Sequence, residues 1–94
     1  MTVRWTEDAL RDLESIHSFI SSENREAAAV VIEKIVASID GLGRHPYIGR
    51  KGRVAGTREL VVAPYIVAYR IRRSAVEVVA IIHRLAPGRT VERC

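Results

Sequence analysis

Apolar residues recur at helical spacing through the first half of the chain. Ala9, Leu13, Ile16 and Ile20 are three or four positions apart, which places them on one face of a helix ending near residue 21. A second series has the same spacing: Ala28, Val31, Ile32, Ile35, Ile39 and Leu42. The pattern predicts two amphipathic helices in a hairpin, and each of them needs an apolar surface to cover.

Residues suited to helix ends border both series. Thr6 and Asn24 directly precede the two predicted helices and are favoured N-cap residues. Glu7 and Asp8 follow Thr6, where negative charge suits the positive end of a helix. The sequence Gly-Leu-Gly at residues 41–43 is typical of a helix end.

The second half changes to short runs rich in β-branched and aromatic residues. TRELVVA, YIVAYRIR and VEVVAIIHRL are predicted strands, and the short links between them imply antiparallel neighbours. TVRW at the beginning of the chain can add an edge strand. The predicted fold is therefore α+β in the order β-α-α-β-β-β, with the helical hairpin packed on one face of a small, mostly antiparallel sheet. A length of 94 residues predicts one domain covering residues 1–94.

The predicted sheet is apolar on both faces. Strict alternation along the last strand places Val79 and Ile81 on the face opposite to Val76, Val78, Ala80 and Ile82. The helices can cover only one face, so we expect a protein partner on the other, with a homodimer of this chain as the alternative.

The composition restricts the cellular setting. No apolar run approaches the roughly 20 residues that span a bilayer, and the N-terminus lacks the layout of a signal peptide. Cys94 is the only cysteine, so no disulfide can form within one chain. These features predict a cytoplasmic protein that does not enter a membrane.

Charge is distributed unevenly along the sequence. The net charge is +4, but residues 1–42 hold eight acidic and four basic residues, while residues 43–94 hold three and eleven. Thirteen of the fifteen cations are arginine, whose planar fork of donors matches phosphate and carboxylate oxygens. The surplus in one half predicts an anionic partner.

Few residues offer catalytic chemistry. Five cations follow one another without an intervening acid, with Tyr47 among them: Arg44, Arg50, Lys51, Arg53 and Arg58. Such a run can hold a nucleic-acid backbone, or it can be a solvated loop. His83 and Arg84 end the last strand, where a histidine can act as a general acid or base or can be a structural residue. No metal-ligand spacing and no cofactor motif is present, so we expect neither a metal nor a cofactor.

Three motifs in this order resemble the RelE/ParE toxin superfamily. They are W-T-x-x-A-L-x-D-L on the first helix, G-T-R-E-L-V-V-x-P-Y-I-V-A-Y-R-I across two strands, and V-V-A-I-I-H-R-L at the end. The resemblance covers residues 3–84, and the predicted element order is also that of the family. It implies a toxin of a type II toxin–antitoxin system. Its partner would be a small antitoxin, of the ribbon-helix-helix type or similar, that forms a hetero-oligomer with the toxin.

The superfamily contains two activities. RelE-like members are ribosome-dependent messenger RNA endoribonucleases, and ParE-like members poison DNA gyrase without chemistry of their own. Val61 and Ile66 occupy positions where ribonuclease members carry an arginine, so the ParE-like branch is favoured. The ribonuclease alternative would rest on Arg58, His83 and Arg84 as catalytic residues. A non-toxic binding and autorepression module is a third alternative.

The charge distribution and the apolar sheet face predict two sets of binding residues. The target surface, for gyrase or for nucleic acid, is predicted to comprise Arg50, Lys51, Arg53, Arg58, Arg84 and Arg89. The antitoxin is predicted to contact Tyr65, Tyr69, Val79 and Ile81 on the exposed apolar face.

Overall fold

Both predicted helix starts carry their capping hydrogen bonds. The computed structural model of the chain describes residues 1–84. Helix α1 spans Glu7–Ser21, and the Thr6 hydroxyl accepts a hydrogen bond from the Ala9 backbone N–H at 3.2 Å. Helix α2 spans Arg25–Asp40, and the Asn24 side-chain oxygen accepts one from a first-turn N–H at 2.9 Å. These bonds satisfy donors that a helix start leaves unpaired, so both predicted N-caps are confirmed.

Five strands form one sheet. They are β1 (Thr2–Trp5), β2 (Arg50–Lys51), β3 (Arg58–Val62), β4 (Tyr65–Arg72) and β5 (Ala75–His83). Their order is β1-β5-β4-β3-β2, with β1 parallel to β5 and the other neighbours antiparallel. The predicted α+β fold with a helical hairpin on a mostly antiparallel sheet is confirmed. Strand β2 was not predicted from the sequence, because two residues are too few to show strand alternation.

The two helices cover one face of the sheet. Their inward stripes pack on alternate residues of β3, β4 and β5, and the buried members of this cluster are Ala9, Ile16, Ile35, Ile39, Val62, Tyr65, Val67, Val78 and Ile81. A smaller buried group of Leu42, Tyr69 and Val76 continues the core at one end. Burial of these apolar side chains contributes most of the free energy that holds the helical hairpin on the sheet.

A β-bulge on β5 changes the predicted faces of that strand. Ala80 pairs with Ala68 and Val78 pairs with Tyr69, which leaves Val79 as an extra residue on β5. Beyond the bulge the alternation reverses, so Ile81 lies on the helix-covered face together with Val78. The prediction that Ile81 lies opposite Val78 is therefore wrong. The missing signal is the bulge, since period-two alternation assumes uninterrupted pairing.

The opposite face of the sheet is less exposed than predicted. Ile66 and Ile82 alternate away from the helices, yet their exposed fractions are only 6% and 9%. The same face carries an ion pair between Arg70 and Glu77. In residues 1–84 the one large hydrophobic side chain of this face that counts as exposed is Val61, at 43%. The expected broad, exposed apolar face is thus wrong as stated.

Candidate functional site

A buried tyrosine hydroxyl fixes the loop between α2 and β2. Tyr69 lies on β4 under the helices, and its Oη donates to the Pro46 carbonyl at 2.8 Å and accepts from the Gly49 N–H at 2.9 Å. A Cβ at Gly49 would lie 2.6 Å from that hydroxyl and 2.9 Å from the Glu59 carbonyl oxygen. The loop therefore requires glycine at position 49 so that its backbone can approach this closely.

Arg58 fixes the same loop from the start of β3. Its Nη1 donates to the carbonyl oxygens of Gly49 at 2.7 Å and Tyr47 at 3.3 Å. Its guanidinium carbon also lies 5.0 Å from the centre of the Tyr47 ring, a cation–π distance. The carbonyls are uncharged, so Arg58 keeps its positive charge while it holds the loop.

The consequence of these contacts is an exposed apolar tip on a restrained backbone. The Tyr47 and Ile48 side chains are 64% and 65% exposed, although the backbone on either side of them is hydrogen-bonded to Tyr69 and Arg58. We call these two residues the Tyr47–Ile48 tip. A restrained loop loses little conformational entropy when a partner binds it.

The predicted basic surface forms around this tip. Arg50 and Lys51 form β2, and Arg53 follows them in the loop towards β3. Glu59 on β3 lies among these cations, since its carboxylate is 3.4 Å from the Arg50 guanidinium and accepts from the Arg53 backbone N–H at 3.3 Å. The sheet edge thus gathers four of the six residues predicted to bind the target.

The other two predicted target residues do not join this edge within the described chain. The Arg84 backbone N–H donates to the Pro64 carbonyl at 2.9 Å, which places Arg84 beside the β3–β4 turn at the opposite end of the strands. Arg89 lies outside the described residues 1–84.

The three candidate catalytic residues are not brought together. Arg58 pairs with Tyr69 in the middle of β4, whereas His83 pairs with Tyr65 at the start of that strand. The four-residue offset corresponds to about 13 Å along a strand. His83 also packs edge-on against the Tyr65 ring, with centroids 5.3 Å apart and planes at 86°. This packing favours the structural interpretation of His83.

The predicted antitoxin contacts fall mainly in the interior. Tyr69 and Ile81 are completely buried and Tyr65 nearly so, and burial raises the pKa of the Tyr65 hydroxyl. A partner cannot touch these three side chains while the helices stay packed, so they are corrected from surface contacts to core residues. Val79, the bulge residue, is half-buried. The two tyrosines are buried because the aromatic residues of β4 lie on the strand face that packs against the helices.

Two polar interactions in the sheet were not predicted from the sequence. Asp12 on α1 is buried, and its carboxylate accepts from the Ile81 N–H at 3.0 Å, immediately after the bulge. Its position within an otherwise apolar helix stripe was the available signal. Arg70 hydrogen-bonds to Glu77 and thereby lowers the pKa of that carboxyl below its ordinary value; burial opposes this effect, and the charges of Arg70, Arg72 and Arg4 reinforce it.

The part of the chain that the structure describes contains neither a candidate metal-binding group nor a membrane-spanning helix. Residues 1–84 contain no group of three or more histidine, cysteine or acidic residues that could hold a metal ion. Neither α1 nor α2, the helices of these residues, is long and apolar enough to cross a membrane. The arrangement at the β2–β3 edge is suited to binding through cations and an apolar tip.

Comparison with known proteins identifies relatives over nearly the whole chain. Residues 3–86 match the family model described as the ParE toxin of the type II toxin–antitoxin system parDE. The candidate toxin Y4kP of Sinorhizobium fredii is 45% identical over 83 residues, which cover 86% of this chain and 85% of that protein.

Two solved structures have similar folds. A chain from the chromosomal ParDE toxin–antitoxin system of P. aeruginosa matches with a TM-score of 0.79 and 24% identity, over 88% of this chain and 95% of that chain. A chain from the RelBE2 toxin–antitoxin complex of Mycobacterium tuberculosis matches with a TM-score of 0.61 and 28% identity, over 88% and 96%. The family match and the 45% identical relative together show that this chain belongs to the ParE toxin family of type II toxin–antitoxin systems.

Proposed function

We propose that this toxin inhibits DNA gyrase through protein contacts and without catalytic chemistry of its own. Membership of the ParE family carries the proposal. The geometry adds support, because Arg58 and His83 pair with β4 residues four positions apart and Arg58 already binds loop carbonyls. A surface of fixed cations suits recognition of a large partner better than acid–base chemistry at one phosphate.

A supercoiling assay tests this proposal. Purified toxin added to gyrase and relaxed plasmid should reduce supercoiling or cause cleaved DNA to accumulate. Toxin mixed beforehand with an equimolar amount of antitoxin provides the control and should leave gyrase active. Normal supercoiling at a large excess of free toxin would contradict the proposal.

The second part of the proposal is neutralisation by a cognate antitoxin in the cytoplasm. The two structural neighbours come from a ParDE system and a RelBE2 complex, which supports an antitoxin as the natural partner. We expect a small ribbon-helix-helix or similar protein, encoded beside the toxin gene, that forms a hetero-oligomer with it. Co-expression of the two and size-exclusion chromatography should give a single complex. Separate elution at micromolar concentrations would reject this partner.

A ribosome-dependent ribonuclease is the alternative, because one structural neighbour is a RelBE2 chain. Primer extension on a translated message would then show cuts within codons. Substituting His83→Ala or Arg84→Ala should abolish those cuts, since both residues lie at the same end of β5. A third possibility, a non-toxic module, predicts normal growth when the toxin is expressed without antitoxin.

A further inference from the structure

The Tyr47–Ile48 tip borders a small apolar groove. The groove has a volume of about 220 Å³ and lies between the end of α2 and β3, with His45, Ile48, Leu60 and Val61 among its lining residues. Ile48 and its neighbour Tyr47 remain largely exposed to solvent beside this groove, at 65% and 64%. Contiguous exposed apolar side chains of this kind mark interaction sites more often than isolated ones do.

The charges near the groove indicate what kind of partner would bind there. No acidic residue occurs between Asp40 and Glu59, and Glu59 is already held by the Arg50 side chain and the Arg53 backbone N–H. The loop and strand β2 on either side of Ile48 are therefore positively charged, which favours an anionic partner. Nucleic-acid phosphates alone would not require an exposed Ile48 beside the groove, whereas a protein segment with apolar and acidic side chains uses both the apolar contact and the positive charge.

The dimensions of the groove favour a narrow segment. A cavity of about 220 Å³ accommodates one or two side chains. A globular target, by contrast, needs about 800 Å² of surface on each partner for a stable interface. An antitoxin segment that folds on binding can place single anchor residues in such a groove along its path.

We propose that the Tyr47–Ile48 tip and its groove form a docking site for an acidic segment of the cognate antitoxin. Apolar side chains of the segment enter the groove, and its carboxylates face the cations of β2 and the neighbouring loop. The proposal rests on the proposed neutralisation by an antitoxin. It also gives Arg58 and Tyr69 a positioning role, because they hold the tip without contacting the partner themselves.

The test measures the affinity of the purified toxin for the antitoxin encoded by the neighbouring gene, by isothermal titration calorimetry. Tyr47→Ala and Ile48→Ala should each raise Kd about 10- to 100-fold, the range of interface hot spots. Tyr47→Phe keeps the ring and should remain near the wild-type affinity. Phe19→Ala is the matched control, since Phe19 is an equally exposed aromatic residue on α1, at 76%, away from the groove. It should change Kd less than about threefold.

Each other outcome identifies a different error. Unchanged Kd in both alanine variants overturns the docking site while the antitoxin complex still stands. If the alanine variants lose gyrase inhibition but keep their antitoxin affinity, the tip contacts the target and the docking site is wrong. If they lose binding to a thymidine oligonucleotide but keep their antitoxin affinity, the tip binds nucleic acid and the docking site is again wrong. If the wild-type toxin binds no antitoxin, the proposed neutralisation fails first and the docking site fails with it. Melting temperatures close to wild type confirm that each variant is folded.

Discussion

The helix-covered centre of the sheet and its β2–β3 edge are held in different ways. In the centre, apolar side chains of β4 and β5 pack under α1 and α2. Hydrogen bonds such as that from the Ile81 N–H to the Asp12 carboxylate pair polar groups that are buried there. At the edge, the loop before β2 is held by hydrogen bonds from Tyr69 and Arg58, while its apolar side chains point into solvent.

This difference separates stability from binding. Burial of apolar surface fixes the centre, so a residue there is needed for folding and is unavailable to a partner. Hydrogen bonds to main-chain atoms fix the edge and leave the Tyr47 and Ile48 side chains largely exposed. Binding residues should therefore be sought where backbone is restrained and side chains are exposed, rather than on the most apolar strand.

The largest expected effect compares two isoleucines, one from each region. Ile81→Ala removes a completely buried side chain and should lower the free energy of unfolding by about 2–5 kcal/mol. Ile48→Ala truncates an exposed side chain and should change the free energy of unfolding by about 0.5 kcal/mol or less. Urea denaturation of both variants measures the contrast. Equal destabilisation would show that the loop is packed as tightly as the core.

Two glycines sharpen the comparison at the edge. Gly49→Ala places a methyl group against the Tyr69 hydroxyl and the Glu59 carbonyl, and should destabilise the protein by about 1–3 kcal/mol. Gly41→Ala is the control, because an added Cβ there meets nothing within 4 Å and the backbone is helical. It should be neutral or stabilise the protein by about 0.4–1 kcal/mol. Thermal unfolding distinguishes them, and a tolerated Gly49→Ala would mean that the Tyr69 contact to the loop is dispensable.

The sequence predicted the centre better than the edge, for physical reasons. The helix stripes, both N-caps and three strands follow from local periodicity and capping chemistry, and all are present. The β5 bulge depends on pairing with β4, which no local pattern encodes, so the face of Ile81 was assigned wrongly. Likewise, a spacing argument cannot show that Arg58 turns back to loop carbonyls eleven and nine residues earlier.

The smallest expected effect concerns the Arg70–Glu77 ion pair on the far face of the sheet. Arg70 hydrogen-bonds to Glu77 and lowers its pKa in the folded protein below the ordinary value of 4.5. The folded state therefore binds this proton less readily than the unfolded chain does. The stabilisation is complete above the unfolded-state pKa and is lost as pH falls through the folded-state value.

A double-mutant cycle of Glu77→Gln and Arg70→Gln isolates this pair, since both residues share one hydrogen bond. Unfolding free energies of the four proteins at pH 7 should show a favourable coupling, which shrinks progressively below pH 4.5 as the carboxylate takes up its proton. The pair is partly exposed, with side chains 40% and 24% accessible, so the coupling should also weaken in high salt. A coupling that is independent of pH would assign the contact to packing of the two side chains instead of charge. In that case side-chain packing would stabilise the far face of the sheet, as it stabilises the helix-covered centre. Charge would then not distinguish the two faces of β4.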